Sequence, residues 1–265
     1  MYEWILFDAD DTLFHFDSFG GLHLMFSRLG VKFTKQDYEE YQAVNKPLWV
    51  LYQNGEINTQ QLQIKRFDSW SKKLQIPPQA LNSFFLTAMV DVGLPLDGAE
   101  NLLKALKGKA KLGIITNGFV ELHHARLERT KFKEHFHLVV ISEQVGIAKP
   151  DRGIFDHALT LMGNPPRNKV LMVGDTLESD ILGGNNAGLD TCWLNVSKKP
   201  IVKDIKPKYQ VSSLKELENL LVGSNEYDFN TVPSFWVHST TARSNFSTKP
   251  VDETSMTTTT PKSKL

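Results

Sequence analysis

The chain has 265 residues, with 30 basic and 30 acidic side chains and 41% apolar residues, enough for one large domain or two modest ones around a buried core. A formal net charge of zero argues against a protein that coats nucleic-acid polymers, since these carry a basic excess; a small phosphorylated ligand needs only one local positive patch. Cys192 is the only cysteine, so an intrachain disulfide and a thiolate metal cluster are both excluded.

The first apolar run, Trp4–Phe7, is short and continuous rather than alternating, as suits a strand buried on both faces of a parallel sheet. It has no basic flank and stops at Asp8, so it does not read as a signal peptide. No stretch approaches the ~20 apolar residues of a membrane helix. The expectation is a soluble cytoplasmic protein without a membrane partner.

Residues 17–92 carry helix signals and no good strand. Thr34 followed by Asp37, and Asn58 followed by Gln61, read as helix N-caps, and Pro77-Pro78 suits a helix entry. The strand rhythm resumes at Leu112–Ile115, Leu138–Ile141, Val170–Val173 and Thr191–Leu194, with amphipathic stretches at Val120–Phe132, Ile154–Met162 and Asp180–Ala187 between them. This alternation predicts an α/β fold, a doubly wound parallel sheet formed by residues 1–16 and 93–222, with residues 17–92 inserted as a helical cap. Residues 223–265 are rich in Ser and Thr and read as a disordered tail, with Phe229, Phe235 and Trp236 as the residues able to dock.

Four constellations carry chemistry, each just after an apolar run or before a helix. The first strand ends in Asp8, Asp10, Asp11 and Thr12, and ligands of open α/β sheets bind outside such carboxyl ends. Carboxylates packed this closely need a cation or a shared proton. The second strand ends in Thr116-Asn117-Gly118, a hydroxyl, an amide and a glycine suited to an oxyanion. Lys149 precedes Pro150, which restricts its backbone. A later strand ends in Asp175, with Asp180 five residues on, and Mg²⁺ prefers such oxygen ligands together with substrate phosphate. The glycines after Asp180 lack the spacing of a dinucleotide-binding fingerprint.

In this order, Asp8/Asp10/Thr12, Thr116, Lys149 and Asp175/Asp180 resemble the four signature motifs of the haloacid dehalogenase superfamily, over about residues 1–222. The helical insert resembles that superfamily's cap domain. The stretches 41–49, 114–119 and 170–176 are similar, more narrowly, to its bacterial pyrimidine 5′-nucleotidases. Asp11 stands where many members carry glycine.

The resemblance implies a Rossmann-like core and a phosphomonoester hydrolase working through an aspartyl-phosphate. It makes Asp8 the nucleophile and Asp10 the general acid and base. It assigns Mg²⁺, with Mn²⁺ able to substitute, to the Asp8 carboxylate, the Asp10 main-chain carbonyl and Asp175. Thr116, the backbone at Asn117, and Lys149 would bind the phosphoryl oxygens, and Asp180 would orient either the metal shell or Lys149. The implied substrate is a small phosphorylated metabolite, a pyrimidine nucleoside monophosphate of the UMP, dUMP and dTMP class. Phosphoglycolate and sugar phosphates, as substrates of a phosphatase or mutase, are the alternatives, and a non-catalytic binding protein of the same fold is a remoter one.

Specificity is expected in the cap, where Asn45, Lys46, Trp49 and Tyr52 offer an amide, a charge and aromatic faces at helical spacing; the two rings could equally pack the cap itself. The eight histidines read as surface or partly buried residues.

Overall fold

The computed structural model describes residues 1–200 and 204–223; the expectations for residues 224–265 lie outside them. Six strands form one parallel sheet: β1 (Trp4–Phe7), β2 (Lys111–Thr116), β3 (Leu138–Ile141), β4 (Val170–Gly174), β5 (Asp190–Leu194) and β6 (Tyr209–Val211), in the order β3-β2-β1-β4-β5-β6. Between β1 and β2 lie five helices: α1 (Ser18–Arg28), α2 (Lys35–Gln53), α3 (Thr59–Leu74), α4 (Pro78–Val92) and α5 (Ala99–Leu106). Helices α6 (Val120–Thr130), α7 (Ser142–Val145), α8 (Arg152–Leu161), α9 (Leu182–Asn186) and α10 (Leu214–Val222) follow the later strands or their loops.

The strands are continuous apolar runs because both faces are covered. Ile5, Phe7, Ile114, Leu171 and Val173 pack with α5 and α10 residues such as Leu103 and Leu217 on one side. Leu6, Ile115, Val140 and Met172 pack with Phe155 and Leu159 of α8 on the other. Alternate residues of β1 thus serve two separate cores, as the two-residue period of a strand requires.

Helices α1–α4 bury a third core of their own, including Leu22, Phe26, Phe67, Phe85 and Met89. Phe119 and Ala148, from the loops above the sheet, and Leu122 of α6 join this core and seat the helices over the strand ends. Both expected N-caps are reciprocal capping boxes: Thr34 Oγ1 accepts from Asp37 N at 3.2 Å, and Asn58 Oδ1 accepts from Gln61 N at 2.9 Å. Pro47 sits inside α2. Lacking an N–H, it opens the helix ladder next to Asn45 and Lys46.

The secondary structure departs from the sequence reading in two places. Strand β6 was not foreseen: it is a three-residue edge strand, too short to show a pattern. The stretch expected as one helix over Asp180–Ala187 is a wide π-helical turn, Leu177–Ile181, running into the short α9. Asp11 has φ of 54°, in the left-handed region where glycine carries no penalty, and its side chain steadies the turn by accepting from Phe16 N at 3.0 Å. Asp is among the few other residues that tolerate this conformation, which accounts for an aspartate at a position elsewhere held by glycine. Among the described residues no helix is long and apolar enough to cross a membrane.

Thr34→Ala removes the side-chain acceptor of the first capping box. It is expected to cost about 1 kcal/mol, read as a lower urea midpoint with an unchanged slope.

Candidate active site

Strand register brings the motif residues together. Phe7 pairs with Ile114 on one side and Val173 on the other, and Asp8 N donates to Val173 O at 2.9 Å. The loops after β1, β2 and β4 therefore open at one edge of the sheet, where the strand order reverses direction. Asp8 and Asp175 stand on the loops after β1 and β4, Thr116 is the last residue of β2, and Lys149 enters from the loop before α8.

Lys149 is the centre of the arrangement. It is 1% exposed, and its Nζ donates to Asp8 Oδ1 at 2.6 Å, Asp180 Oδ1 at 2.7 Å and Ile115 O at 2.9 Å. Three acceptors match the three protons of an ammonium. Burial opposes the charge, but the carboxylates of Asp180 and Asp8 outweigh it and hold the Lys149 pKa above its ordinary value. Its backbone is pinned as well: Asn117 Oδ1 accepts from Lys149 N at 2.8 Å, and Asn117 Nδ2 donates to Lys149 O at 2.9 Å. The Asn117 side chain thus positions the lysine.

Asp180 is buried and also accepts from Thr176 N at 3.0 Å. It lies so close over Gly174 that a Cβ there would stand 2.3 Å from Asp180 Oδ2. Only glycine at the end of β4 lets this carboxylate reach Lys149.

Asp8, Asp175 and Asp180 each offer a carboxylate oxygen, all within 4.8 Å of one another. Burial, with Asp180 and Asp10 adding to it and Lys149 opposing, raises the Asp8 pKa to about 7. Burial, with Asp180, Asp8 and Asp11 adding, raises Asp175 to about 8. One ammonium does not neutralise three carboxylates, and the surplus suits a hard, oxygen-seeking dication. The hydroxyls of Thr12 and Thr116 are buried with no partner among the described residues, so the pocket also holds donors awaiting an acceptor.

Asp10 has its own cation. Arg126 of α6 is fully buried, stacks over the Phe14 ring at 4.9 Å and donates from Nη1 to Asp10 Oδ1 at 2.5 Å. Burial alone would push the Asp10 pKa up, but Arg126, with His123, holds it below its ordinary value. His123 is buried, contrary to the expectation of a surface or partly buried residue. Burial lowers its pKa to about 4 against the pull of Asp10, so it is neutral near pH 7. A Cβ on Gly118 would lie 2.4 Å from His123 Nε2, so this glycine makes room for the ring. The His123-x-x-Arg126 spacing sets both side chains on one face of α6, the one sequence signal that could have revealed them.

A cavity of about 350 Å³ runs from Asp10, Asn117 and Gly118 up into the helices. Asn45, Lys46 and Trp49 line it, together with Tyr41, Gln42, Arg66, Phe85 and Phe119. Tyr52 does not: it is buried and packs edge-on against Trp49 with ring centroids 5.7 Å apart. Its expected place facing a substrate is corrected to one that supports Trp49. Arg66 went unremarked in the sequence because a lone arginine on an amphipathic helix reads as solvated.

The sequence pattern of the haloacid dehalogenase-like hydrolases matches residues 2–188. The pyrimidine 5′-nucleotidase YjjG of Escherichia coli is 58% identical over 220 residues, covering 83% of this chain and 98% of its own. The pyrimidine 5′-nucleotidase PynA of Streptococcus pneumoniae is 32% identical, covering 83% of this chain and 95% of its own. Among solved structures, that of YfnB from Bacillus subtilis bound to magnesium superposes with a TM-score of 0.73 at 29% identity, over 83% of this chain and 98% of that one.

The raised pKa of Asp175 fixes a pH dependence for the metal-free protein. In the unfolded chain this group ionises near its ordinary value of 3.8; in the folded state it holds its proton to about 8. The folded state therefore binds more protons between these values, and stability falls as pH rises through that window. Asp175→Asn is expected to raise the melting temperature of the metal-free protein at pH 8 and to change it little at pH 4, as scanning calorimetry at the two pH values would read.

Proposed function

The chain belongs to the haloacid dehalogenase-like hydrolases, and from that premise we propose that it is a phosphomonoester hydrolase, a 5′-nucleotidase for pyrimidine nucleoside monophosphates of the UMP, dUMP and dTMP class. In this reading residues 1–16 and 93–222 are the phosphatase core, and residues 17–92 are the cap that selects the substrate. The observation that carries it is one cavity with two different ends. Asp10, Asn117 and Gly118 stand at the core end, beside the Asp8–Lys149 pair, while Tyr41, Trp49, Phe85 and Phe119 wall the cap end. The likeness to YjjG and PynA supports the choice of substrate.

Unaided phosphate monoesters hydrolyse extremely slowly, so positioning and charge stabilisation must supply most of the acceleration. Asp8 attacks phosphorus and forms an aspartyl-phosphate, dividing one hard step into two. Lys149, held by Asp180 and Asn117, fixes the Asp8 carboxylate and sets positive charge beside the phosphoryl group. Thr116 Oγ1 and the backbone N–H at Asn117 donate to the phosphoryl oxygens, while the Gly118 N–H is held by Ser142 Oγ at 3.1 Å.

Asp10 gives its proton to the leaving 5′-oxygen, then takes one from the water that attacks the phosphoenzyme, releasing inorganic phosphate and Asp8. The Arg126 pair favours the ionised Asp10 that the second step needs. Donation in the first step requires the carboxyl group to turn from Arg126 toward the leaving oxygen. The carboxylates of Asp8 and Asp175 and the main-chain carbonyl of Asp10 would hold Mg²⁺ or Mn²⁺. When bound, that ion neutralises phosphoryl charge and stabilises Asp8 as the anion needed for attack.

Sugar phosphates and phosphoglycolate would use the same core residues, but the aromatic walls of the cap end would gain nothing from them. A carbon–halogen hydrolase would have no use for a leaving-group acid at position 10.

Phosphate release from a panel of nucleoside and sugar monophosphates tests the substrate class: UMP, dUMP and dTMP should lead, and a preference for phosphoglycolate or a hexose phosphate would refute the reading. Activity should vanish in chelator and return with Mg²⁺ or Mn²⁺; full turnover in chelator would remove the metal from the scheme.

The roles of Asp8 and Asp10 separate with p-nitrophenyl phosphate, whose leaving group needs little protonation. Asp10→Asn should slow nucleotide hydrolysis by about 10²–10⁴-fold. It should still release a burst of about one equivalent of p-nitrophenol per site. Asp8→Asn should give no burst with either substrate. The reverse pattern would exchange the two roles.

A further inference from the structure

Arg66 is the buried charge that the mechanism leaves unused. It is 5% exposed, on α3, and lines the cap end of the cavity. Its guanidinium lies over the rings of Phe119, Phe85 and Phe67, at 4.8, 5.2 and 5.3 Å from their centroids. These contacts fix the plane of the group. Its side edge is committed too: Nε donates to Asn82 Oδ1 at 2.9 Å, and Nη2 donates to the same oxygen. That acceptor is a neutral amide, and among the described residues Arg66 forms no salt bridge.

A guanidinium carries five N–H donors in a planar fork. Two are used on Asn82, and the neutral Tyr41 hydroxyl, which also lines the cavity, is a further partner of the guanidinium; together they leave N–H groups of the fork to spare. A buried cation with spare donors is costly unless an acceptor arrives. Lys46, the other cation lining the cavity, is exposed and keeps its water.

We infer that Arg66 is the specificity-determining residue of this cavity, donating from its spare N–H groups to the 4-carbonyl oxygen of a uracil or thymine base. The inference rests on the nucleotidase reading above. With the phosphate at Asp10, Asn117 and Gly118, the base extends toward the helices. In a pyrimidine nucleotide C4 lies across the ring from the glycosidic nitrogen, so its substituent reaches farthest into the cap. Uracil and thymine place a carbonyl acceptor there. Cytosine places an amino group, which would face the N–H groups of Arg66 donor to donor. The discrimination comes as much from the repulsion as from the new bond. A cavity of about 350 Å³ is also near the lower end of the ~300–1,000 Å³ common for ligand sites, which favours a single ring over a purine.

The test compares kcat/KM for UMP, CMP and the pyrimidin-2-one ribonucleoside 5′-monophosphate, which lacks the 4-oxygen. The wild-type enzyme should prefer UMP to the pyrimidin-2-one nucleotide by about 10- to 100-fold. In Arg66→Lys, which keeps the charge and loses the planar fork, both the UMP/CMP and UMP/pyrimidin-2-one ratios should fall toward unity. Ratios are independent of how much of the variant folds, and the wild-type comparison needs no variant.

Equal hydrolysis of UMP and the pyrimidin-2-one nucleotide by the wild type would overturn the inference. So would variant ratios within about threefold of wild type. In both cases the nucleotidase reading would stand. Wild-type enzyme that hydrolyses ribose 5-phosphate as well as any pyrimidine nucleotide would instead overturn that reading, and this inference with it.

Discussion

One ammonium group between two carboxylates organises this protein. Lys149 Nζ sits between Asp8 and Asp180, buried, with its third proton on the Ile115 carbonyl. A charge group this deep is tolerated only when its geometry is good and every donor is used, and removing one partner from such a group typically costs about 3–5 kcal/mol. Local features that look unrelated serve that geometry. Asn117 brackets the lysine backbone from the loop after β2, and Gly174 leaves the space that the Asp180 carboxylate fills. The wide turn at Leu177–Ile181 brings Asp180 back over the end of β4.

The same edge is left deliberately out of balance. After Lys149 has satisfied Asp8 and Asp180, Asp175 still adds a half-buried carboxylate whose pKa is pushed to about 8. A fold selected only for stability would replace it. Carboxylates that repel one another at a sheet edge are the usual mark of a site completed by a ligand. Asp10 is kept out of this conflict: Arg126 reaches it from α6 and gives it a buried counter-charge. Two neighbouring acids thereby experience opposite electrostatics, Asp8 raised and Asp10 lowered.

Most of the fold was legible in the sequence, because the cues were local. Continuous apolar runs announced five of the six strands, and Thr34-x-x-Asp37 and Asn58-x-x-Gln61 announced two helix starts that close as capping boxes. The acids and Lys149 were legible as candidates because charged residues at strand ends are chemically conspicuous. What sequence could not reveal is which charges on helices turn inward. Arg66, His123 and Arg126 all lie on helices, where a polar residue reads as solvated, and only the packing of α3 and α6 shows them buried. Trp49 and Tyr52 illustrate the same limit, since nothing local distinguishes the ring that meets the cavity from the one that supports it.

Phe119 joins the two ends of the cavity. It follows Gly118 directly, so it belongs to the loop that carries Asn117 and leaves β2 at Thr116. It also packs edge-on against Trp49 at 5.6 Å and lies under the Arg66 guanidinium at 4.8 Å. A base seated among Trp49, Phe85 and Arg66 would therefore press on the same short segment whose backbone is proposed to face the phosphate. Binding energy from the non-reacting part of a substrate accelerates chemistry only if it is realised at the reacting centre. Here the coupling element is a single residue, buried in the core of the α1–α4 helices and covalently part of the segment after β2 that is proposed to bind phosphate. On the proposed nucleotidase reading, cap residues would need no role in bond breaking to influence kcat: they would act through the position of Thr116, Asn117 and, by the Asn117 side chain, Lys149.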